Sequence, residues 1–254
     1  MRIDLNSDLG EAYGPWRMGD DAAMLDLVSS ANIACGGHAS DPDTMFATLK
    51  AAAARGVAIG AHPGYADREG FGRRIIPMQP DQIARMVASQ VGSLQGVAAL
   101  AGAELRYVKP HGALYNLASD DRAVADAIVS AVAALPGRLA MLAMPGSELA
   151  LAAEAAGIQV FAEIFADRAY LPNGRLAPRG MPGAVLHDPE TVARRLLDVL
   201  DSGLMPVLDG APIRMPADSV CIHGDNPAAV AVASLLRQRL TEAGVTIAPF
   251  LAPT

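Results

Sequence analysis

Seven short apolar runs that alternate with helical patterns constrain the fold of this chain more than any other feature. The runs are typical of strands and cover 3–11, 30–35, 57–61, 105–108, 139–143, 159–165 and 219–222. A regular order of strand, loop and helix predicts a parallel sheet with right-handed crossovers. So many repeats favour a closed or nearly closed (β/α) barrel of about seven parallel strands, and a doubly wound open sheet is the structural alternative.

Capping signals mark the predicted helix starts between these runs. Helices are predicted to begin at Asp41-Pro42, Pro80-Asp81, Asp188-Pro189 and Asn226-Pro227, and others cover about 120–135 and start at Ser147. Segments 65–74 and 166–183 are polar and irregular, so we expect loops there, with 65–74 outside the core. Segment 206–215 has a turn pair between apolar runs and predicts a small hairpin.

Length and composition restrict the class of protein. The 254 residues are 52% hydrophobic and 19% charged, which predicts one barrel domain over 1–254 with a large core. We expect neither a signal peptide nor a membrane span, because the N-terminus is polar by Asp4 and because Gly, Pro and Glu interrupt every apolar stretch before it reaches about 18 residues. Cys35 and Cys221 are far apart in the chain, which is typical of a reducing compartment and predicts a cytoplasmic location. A net charge of −7 argues against nucleic acid as a partner.

The first strand carries a polar face. Asp4, Asn6 and Asp8 alternate with Ile3 and Leu5, so the three polar side chains share one side of the strand. Buried carboxylates without partners are costly, so this face predicts a cation, a metal or a ligand opposite it. An exposed amphipathic edge strand is the alternative interpretation.

Titratable residues recur where the predicted strands end. The histidines in such turns, each beside Gly or Pro, are His38, His62, His111 and His223, and the nearby charged residues are Asp8, Lys109, Glu163 and Asp225. Carboxyl ends of parallel strands meet at one rim, so these side chains are expected to gather there as a catalytic or metal site. A single histidine of this kind is equally well interpreted as a hydrogen-bonded turn residue.

Two chemistries fit such a rim. One is metal-assisted hydrolysis with Asp8, His38 and His62 as ligands of a divalent metal, and the other is metal-free acid–base catalysis in which Lys109 neutralises negative charge. The chain has no G-x-S-x-G elbow and no glycine-rich nucleotide loop. Cys35 lies in an apolar strand and is expected to be a buried side chain rather than a nucleophile.

Long motifs along almost the whole chain resemble those of the LamB/YcsF family. They are I-D-L-N-S-D-L-G-E (3–11), N-I-A-C-G-G-H-A-S-D (32–41), G-A-H-P-G-Y (60–65), G-F-G-R-R (70–74), V-K-P-H-G-A-L-Y-N (108–116), E-I-F-A-D-R-A-Y (163–170), P-R-G-M-P-G-A (178–184) and C-I-H-G-D-N-P (221–227). The resemblance implies a distorted (β/α) barrel of the glycoside hydrolase/deacetylase type. It also implies ATP-dependent opening of the 5-oxoproline lactam to L-glutamate, carried out with two partner subunits.

The resemblance and the rim together give a set of predicted site residues. The predicted catalytic residues are Asp8, His62, Lys109, His111, His223 and Asp225. The predicted substrate-binding residues are Asn6, Glu11, Arg73, Arg74, Glu163 and Arg168. ATP is expected to bind with the partner subunits, because this chain has no phosphate-binding loop. The rival hypotheses are a stand-alone metal-dependent hydrolase or deacetylase acting on a small amide or carbohydrate, and a subunit that only binds.

Overall fold

A closed barrel of parallel strands forms the centre of the computed structural model, which describes residues 1–222 and 229–251. The strands are β1 (Arg2–Leu9), β2 (Ser30–Ala34), β3 (Ala58–His62), β4 (Leu105–Val108), β5 (Ala140–Ala143), β6 (Val160–Phe165), β7 (Leu204–Met205), β8 (Ile213–Arg214), β9 (Ser219–Cys221) and β10 (Thr246–Ile247). Strands β1 to β6 pair in sequence order, and β9 pairs with both β6 and β1, which closes the barrel. The predicted (β/α) barrel is therefore confirmed, and the open sheet is excluded.

Helices surround the barrel. They are α1 (Asp21–Leu25), α2 (Pro42–Ala54), α3 (Pro80–Ala101), α4 (Gly112–Asp120), α5 (Arg122–Ala134), α6 (Glu148–Ala155), α7 (Pro189–Ser202) and α8 (Ala229–Glu242). Three predicted caps are present, because the side chains of Asp41, Ser147 and Asp188 each accept a hydrogen bond from a backbone N–H three residues later. The predicted start at Asn226-Pro227 lies outside the described residues.

The predicted helix over about 120–135 is present as α5, but the helix before it, α4, was not predicted. Helix α4 starts directly after His111, and Asp121 separates it from α5. The Asp121 side chain accepts hydrogen bonds from the N–H groups of Ala123 and Val124, which starts a new helix there. Helix α4 is hard to predict from sequence, because Pro110 and Gly112 at its start are typical of a turn.

Two short strand pairs complete the sheets. Strands β7 and β8 pair antiparallel across the predicted hairpin segment, and β10 pairs with the first residues of β1. Strand β10 was not predicted, because two residues are too few for a strand period. No helix within 1–222 and 229–251 is long and apolar enough to cross a membrane.

The polar face of β1 points into the barrel, where it is buried. Asp4 is 1% exposed and accepts hydrogen bonds from the hydroxyls of Ser29 and Ser30, each at 2.6 Å, and from Ser219. Burial raises the pKa of Asp4 to about 6, although the three hydroxyl donors oppose this shift. The edge-strand interpretation is wrong, because β1 lies between β2 and β9.

Segment 65–74 contributes to the core, contrary to the sequence-based expectation. Tyr65 is completely buried, and Asp67 is 6% exposed. The Asp67 carboxylate accepts hydrogen bonds from Arg74 and from the Gly70 N–H at 3.0 Å. This buried carboxylate folds the segment back on itself, an effect that a polar composition does not reveal.

Candidate metal centre and active-site pocket

Three histidines meet at the carboxyl ends of β2, β3 and β4. The rings of His38 and His111 are stacked with centroids 3.6 Å apart, and His62 stands edge-on to both at 5.5 and 4.9 Å. Glu11, which follows β1, lies beside them. One ligand atom from each of these four buried residues lies within 4.8 Å of the others. The predicted gathering of histidines at one rim is therefore present for those in the described residues.

The hydrogen bonds of His62 and His111 assign their tautomers. His62 Nδ1 donates to the Lys109 carbonyl at 2.7 Å, and His111 Nε2 donates to the Phe71 carbonyl at 2.8 Å. Because carbonyl oxygens only accept, the remaining nitrogens carry lone pairs when the rings are neutral. These two nitrogens, His62 Nε2 and His111 Nδ1, are 3.0 Å apart.

Two facing lone pairs are unfavourable unless a cation lies between or beside them. Burial lowers the pKa of His111 well below its ordinary value, and the neighbouring His38 and His62 lower it further. Burial also lowers the pKa of His38, with His62 and Arg73 adding to this effect. Neutral rings are therefore favoured for His38 and His111, whose lone pairs are then available to a metal ion.

The donor set fits a divalent cation. Three imidazole nitrogens and one carboxylate oxygen form a ligand set used by zinc and related metals. His38 Nε2 lies 2.9 Å from Glu11 Oε1, and His111 Nδ1 lies 3.5 Å from the same oxygen. The Nδ1 atom of His38 is buried and has no hydrogen-bond partner among the described residues. Glu11, His38, His62 and His111 could therefore bind a metal ion.

Asp8 lies beside this cluster rather than within it. Of the three ligands predicted from sequence, His38 and His62 belong to the four-residue cluster, whereas Asp8 lies next to the cluster, against the same His62 nitrogen that faces His111. Its Oδ2 is 3.3 Å from His62 Nε2, and its Oδ1 is 2.8 Å from Lys109 Nζ. Asp8 thus connects the histidines to a buried lysine.

Lys109 is the positive group that faces the polar side of β1. Its ammonium is 2.8 Å from Asp8, 3.0 Å from Glu163 and 3.2 Å from the Cys221 sulfur, and the side chain is 2% exposed. Burial alone would lower the pKa of Lys109, but Asp8 and Glu163 raise it well above its ordinary value. Lys109 therefore remains charged and can stabilise negative charge rather than accept a proton.

Residues around Lys109 hold this arrangement in place. Tyr115 donates to Glu163 Oε2 at 2.8 Å, and Asn32 donates to Asp8 Oδ1 at 2.8 Å. Burial raises the pKa of the Cys221 thiol well above its ordinary value and that of Cys35 to about 12. Neither thiol is suited to act as a nucleophile, as expected for Cys35.

A cavity of about 400 Å³ opens in front of these groups. Asp8, His62, Lys109 and His111 line one part of it. Another part is mainly basic and is lined by Arg73, Arg168, Arg175 and Arg179, together with Asp120, which pairs with Arg175. Apolar contacts come from Phe71, Met144, Phe165 and Leu176. The cavity therefore combines acid–base and cationic groups of the kind that hydrolases use with arginines that suit an anion.

Arg168 is buried in the basic part of the cavity. It is 5% exposed and donates to the carbonyl of Ala177 at 2.6 Å and to that of Ala184 at 3.4 Å. Burial lowers the pKa of Arg168 to about 10, and the nearby Arg179 and Arg73 contribute. The nearby Asp167 carboxylate opposes this lowering, and the guanidinium, which donates to two backbone carbonyls, keeps a positive charge that suits a bound anion.

Other predicted site residues lie farther from the cavity. Arg74 pairs with Asp67, and Asn6 lies deeper in the barrel, where it accepts a hydrogen bond from Asn32 at 2.7 Å. Glu163 is fully buried behind Lys109. His223 and Asp225 lie outside the described residues.

Sequence reasoning missed several residues of the site. Tyr115, Arg175 and Arg179 line the cavity. Phe71 has φ +54°, in the left-handed region, and this conformation accompanies its hydrogen bond to His111. Its position between Gly70 and Gly72 was the signal that could have identified it.

Comparisons with known proteins identify the family. The LamB/YcsF family model matches residues 3–254. A protein of Pseudomonas syringae pv. tomato that is named as an A subunit of 5-oxoprolinase is 54% identical over 248 residues, which cover 98% of this chain and 97% of the relative. The crystal structure of a lactam utilization protein from Thermus thermophilus matches with a TM-score of 0.92 and 44% identity, covering 98% of this chain and 99% of that one.

A more distant likeness concerns the fold alone. A deacetylase structure with substrate matches with a TM-score of 0.50 and 13% identity, over 98% of this chain and 88% of the other. This agrees with the predicted deacetylase-like barrel. The match of the family model over nearly the whole length, together with the relative that is 54% identical, shows that this chain belongs to the LamB/YcsF family.

Proposed function

We propose that this chain is the A subunit of a 5-oxoprolinase, and that with two partner subunits and ATP it opens the lactam of 5-oxo-L-proline to L-glutamate. The observation that carries the proposal is one cavity lined by Lys109, by His62 and His111 of the cluster, and by four arginines. The names of the relatives, one as an A subunit of 5-oxoprolinase and one as a lactam utilization protein, support it. We place this activity in the cytoplasm, within a single barrel domain.

The chemistry of the substrate suits the two parts of the cavity. 5-Oxoproline carries one carboxylate and one cyclic amide. In this proposal Arg168 and its neighbours hold the carboxylate, which directs the lactam carbonyl toward Lys109. Arg168 supports this role because its buried guanidinium donates only to backbone carbonyls among the described residues.

Proton transfer and charge stabilisation are assigned to different groups. Asp8 lines the cavity, its side chain is 11% exposed, and as a carboxylate it can accept a proton from attacking water. Lys109 stays protonated and stabilises negative charge on the lactam oxygen. A divalent cation held by Glu11, His38, His62 and His111 would supply Lewis acidity toward a carbonyl or phosphoryl oxygen.

ATP has a separate part in the proposal. Transfer of the γ-phosphoryl group of ATP to the lactam oxygen would release ADP and make the ring carbon more electrophilic toward water. After water adds to this carbon, the C–N bond breaks and the ring nitrogen leaves as the amine. Hydrolysis of the resulting acyl phosphate then gives L-glutamate and phosphate. The chain contains no glycine-rich phosphate loop, so we assign ATP binding to the partner subunits or to a shared interface.

Reconstitution tests this function. Glutamate release from 5-oxoproline is measured for the purified chain alone, for the two partner subunits alone and for all three together, each with and without ATP. Activity only in the ATP-containing mixture is expected. Equal activity of the two partner subunits with and without this chain would contradict the proposal.

The histidine and glutamate cluster favours a second candidate, a stand-alone metal-dependent hydrolase or deacetylase. This candidate predicts stoichiometric bound zinc or manganese and hydrolysis of a small amide or an acetylated sugar without ATP. Metal analysis of the purified chain, followed by assays with and without a chelator, distinguishes it from the first candidate. An active chain that needs neither ATP nor partners would favour the second candidate.

A further inference from the structure

Gln90 is a buried amide on the apolar side of α3. It lies one residue before Val91 and three after Val87, on the helix stripe that also contains Ile83 and Leu94, and it is 9% exposed. An amide in this position needs hydrogen-bond partners, because burying it without them is costly. Its partners therefore indicate why a polar residue interrupts the stripe.

Both partners belong to the turn that follows His62. Gln90 Nε2 donates to the Gly64 carbonyl at 2.7 Å, and Gln90 Oε1 accepts from the Gly64 N–H at 3.1 Å. One side chain thus binds both backbone groups of one residue. This arrangement fixes the orientation of the Gly64 peptide groups and not merely their position.

Gly64 lies directly against the histidine cluster. A Cβ atom at this position would be 2.9 Å from His38 Nδ1 and 3.2 Å from His111 Cβ, so the backbone and the two rings are in close contact. The preceding residue, Pro63, accepts a hydrogen bond from the His111 N–H at 2.8 Å. A displacement of this turn would therefore move residues from three strands.

The same amide also contacts the turn that precedes His38. A Cβ atom at Gly37 would be 2.6 and 2.7 Å from the two amide atoms of Gln90 and 2.7 Å from the Gly64 carbonyl oxygen. Gln90 therefore lies where the turns carrying His38 and His62 meet, and it reaches them from a helix outside the barrel.

We propose that Gln90 is a positioning residue that sets the spacing of the His38, His62 and His111 nitrogens by holding Gly64 against the turn at Gly37. Gln90 does not contact the cavity, and it acts through the backbone of the two turns. The proposal rests on the function proposed for this site, but its structural part concerns the protein without a ligand and can be tested separately.

Three variants separate positioning from general stability. Gln90→Leu removes both hydrogen bonds, and Gln90→Glu keeps an acceptor for the Gly64 N–H but loses the donor to its carbonyl. Gln95→Leu is the matched control, because Gln95 lies on the same helix and donates to the Pro136 carbonyl at 2.9 Å, away from the histidine turns. Thermal unfolding of each variant shows how much of any effect is a loss of stability.

Cobalt binding provides the first measurement. The full chain is titrated with Co²⁺, and the visible absorption of the bound metal reports the geometry of its ligands. For Gln90→Leu we expect affinity about 10–100-fold weaker and an altered spectrum, as for other residues that orient metal ligands. Gln90→Glu should be intermediate, and Gln95→Leu should resemble the wild type. Wild-type affinity and spectrum in Gln90→Leu would overturn the proposal.

Histidine NMR of the metal-free chain provides the second measurement. The Nδ1–H signal of His62 and the Nε2–H signal of His111 should exchange faster in Gln90→Leu, as should the Gly64 amide, and should remain unchanged in Gln95→Leu. If the wild type binds no Co²⁺, the histidine cluster is not a metal site. The NMR measurement alone then tests whether Gln90 positions the histidines. Unchanged exchange at all three groups in Gln90→Leu would refute the positioning role. If Gln90→Leu does not fold, the same measurement is made on Gln90→Glu.

Discussion

Replacement of Lys109 by methionine should destabilise the protein strongly, because two buried carboxylates depend on the lysine. Lys109 Nζ lies 2.8 Å from Asp8 and 3.0 Å from Glu163, and the Glu163 side chain is fully buried. Removing one partner of a buried ion pair costs about 3–5 kcal/mol, since a desolvated charge remains. For a chain of this size the expected fall in Tm is roughly 6–20 °C.

Chemical denaturation of the Lys109→Met variant at pH 7 and pH 5 measures this loss in unfolding free energy. The loss should be smaller at pH 5, because a carboxylate released from its ion pair can take up a proton. The double variant Lys109→Met/Glu163→Gln should recover at least half of the loss, since one uncompensated charge is gone. Lys50→Met is the matched control, because Lys50 is exposed on α2.

Two results would refute this reasoning. A Lys109→Met variant as stable as Lys50→Met would mean that the buried charges do not depend on one another. A double variant less stable than the single one would mean that Glu163 is not the group left uncompensated.

Three further predictions concern pH, metal and substrate. The pKa of Asp4 rises from 3.8 to about 6 on folding, so folded Asp4 keeps its proton to a higher pH than unfolded Asp4 does. This group should therefore lower the unfolding free energy of the wild type by about 2 kcal/mol as the pH rises from 4 to 7, and urea denaturation at these two pH values should show no such loss in Asp4→Asn. Zn²⁺ at 100 times its Kd should raise the unfolding free energy by about 2.7 kcal/mol, and a chelator or His111→Ala should abolish the gain in a thermal-shift assay. Arg168→Met should raise KM for 5-oxoproline at least about tenfold in the reconstituted system, because a hydrogen bond between a buried charge and the substrate carboxylate contributes at least about 1.5 kcal/mol. An unchanged KM would mean that the substrate carboxylate binds elsewhere.

Much of the barrel could be predicted from local patterns. Segment 105–108 coincides with β4, and the capping residues Asp41 and Asp188 mark where α2 and α7 begin. Strands and caps depend on neighbours within a few residues, so periodicity reveals them. Strand β10 and helix α4 were missed, because β10 is held only by pairing with β1 and α4 follows residues typical of a turn.

The site was predictable in composition but not in geometry. Turns after parallel strands placed His38, His62 and His111 at one rim, because all three strands end there. Their tautomers depend on the carbonyls of Lys109 and Phe71, which only the fold brings near. No role was predicted for Gln90, although its place beside Val91 on the apolar stripe was a signal that it is buried.

The rate of glutamate formation by a Lys109→Met chain tests the central claim most directly. The wild-type chain and this variant are each mixed with the same two partner subunits, 5-oxoproline and ATP, at a temperature where the variant is folded. The account predicts a rate at least about 100-fold lower for the variant, because the charge that stabilises the reacting oxygen is lost. Equal rates would contradict the assignment of this cavity as the place where the lactam is opened.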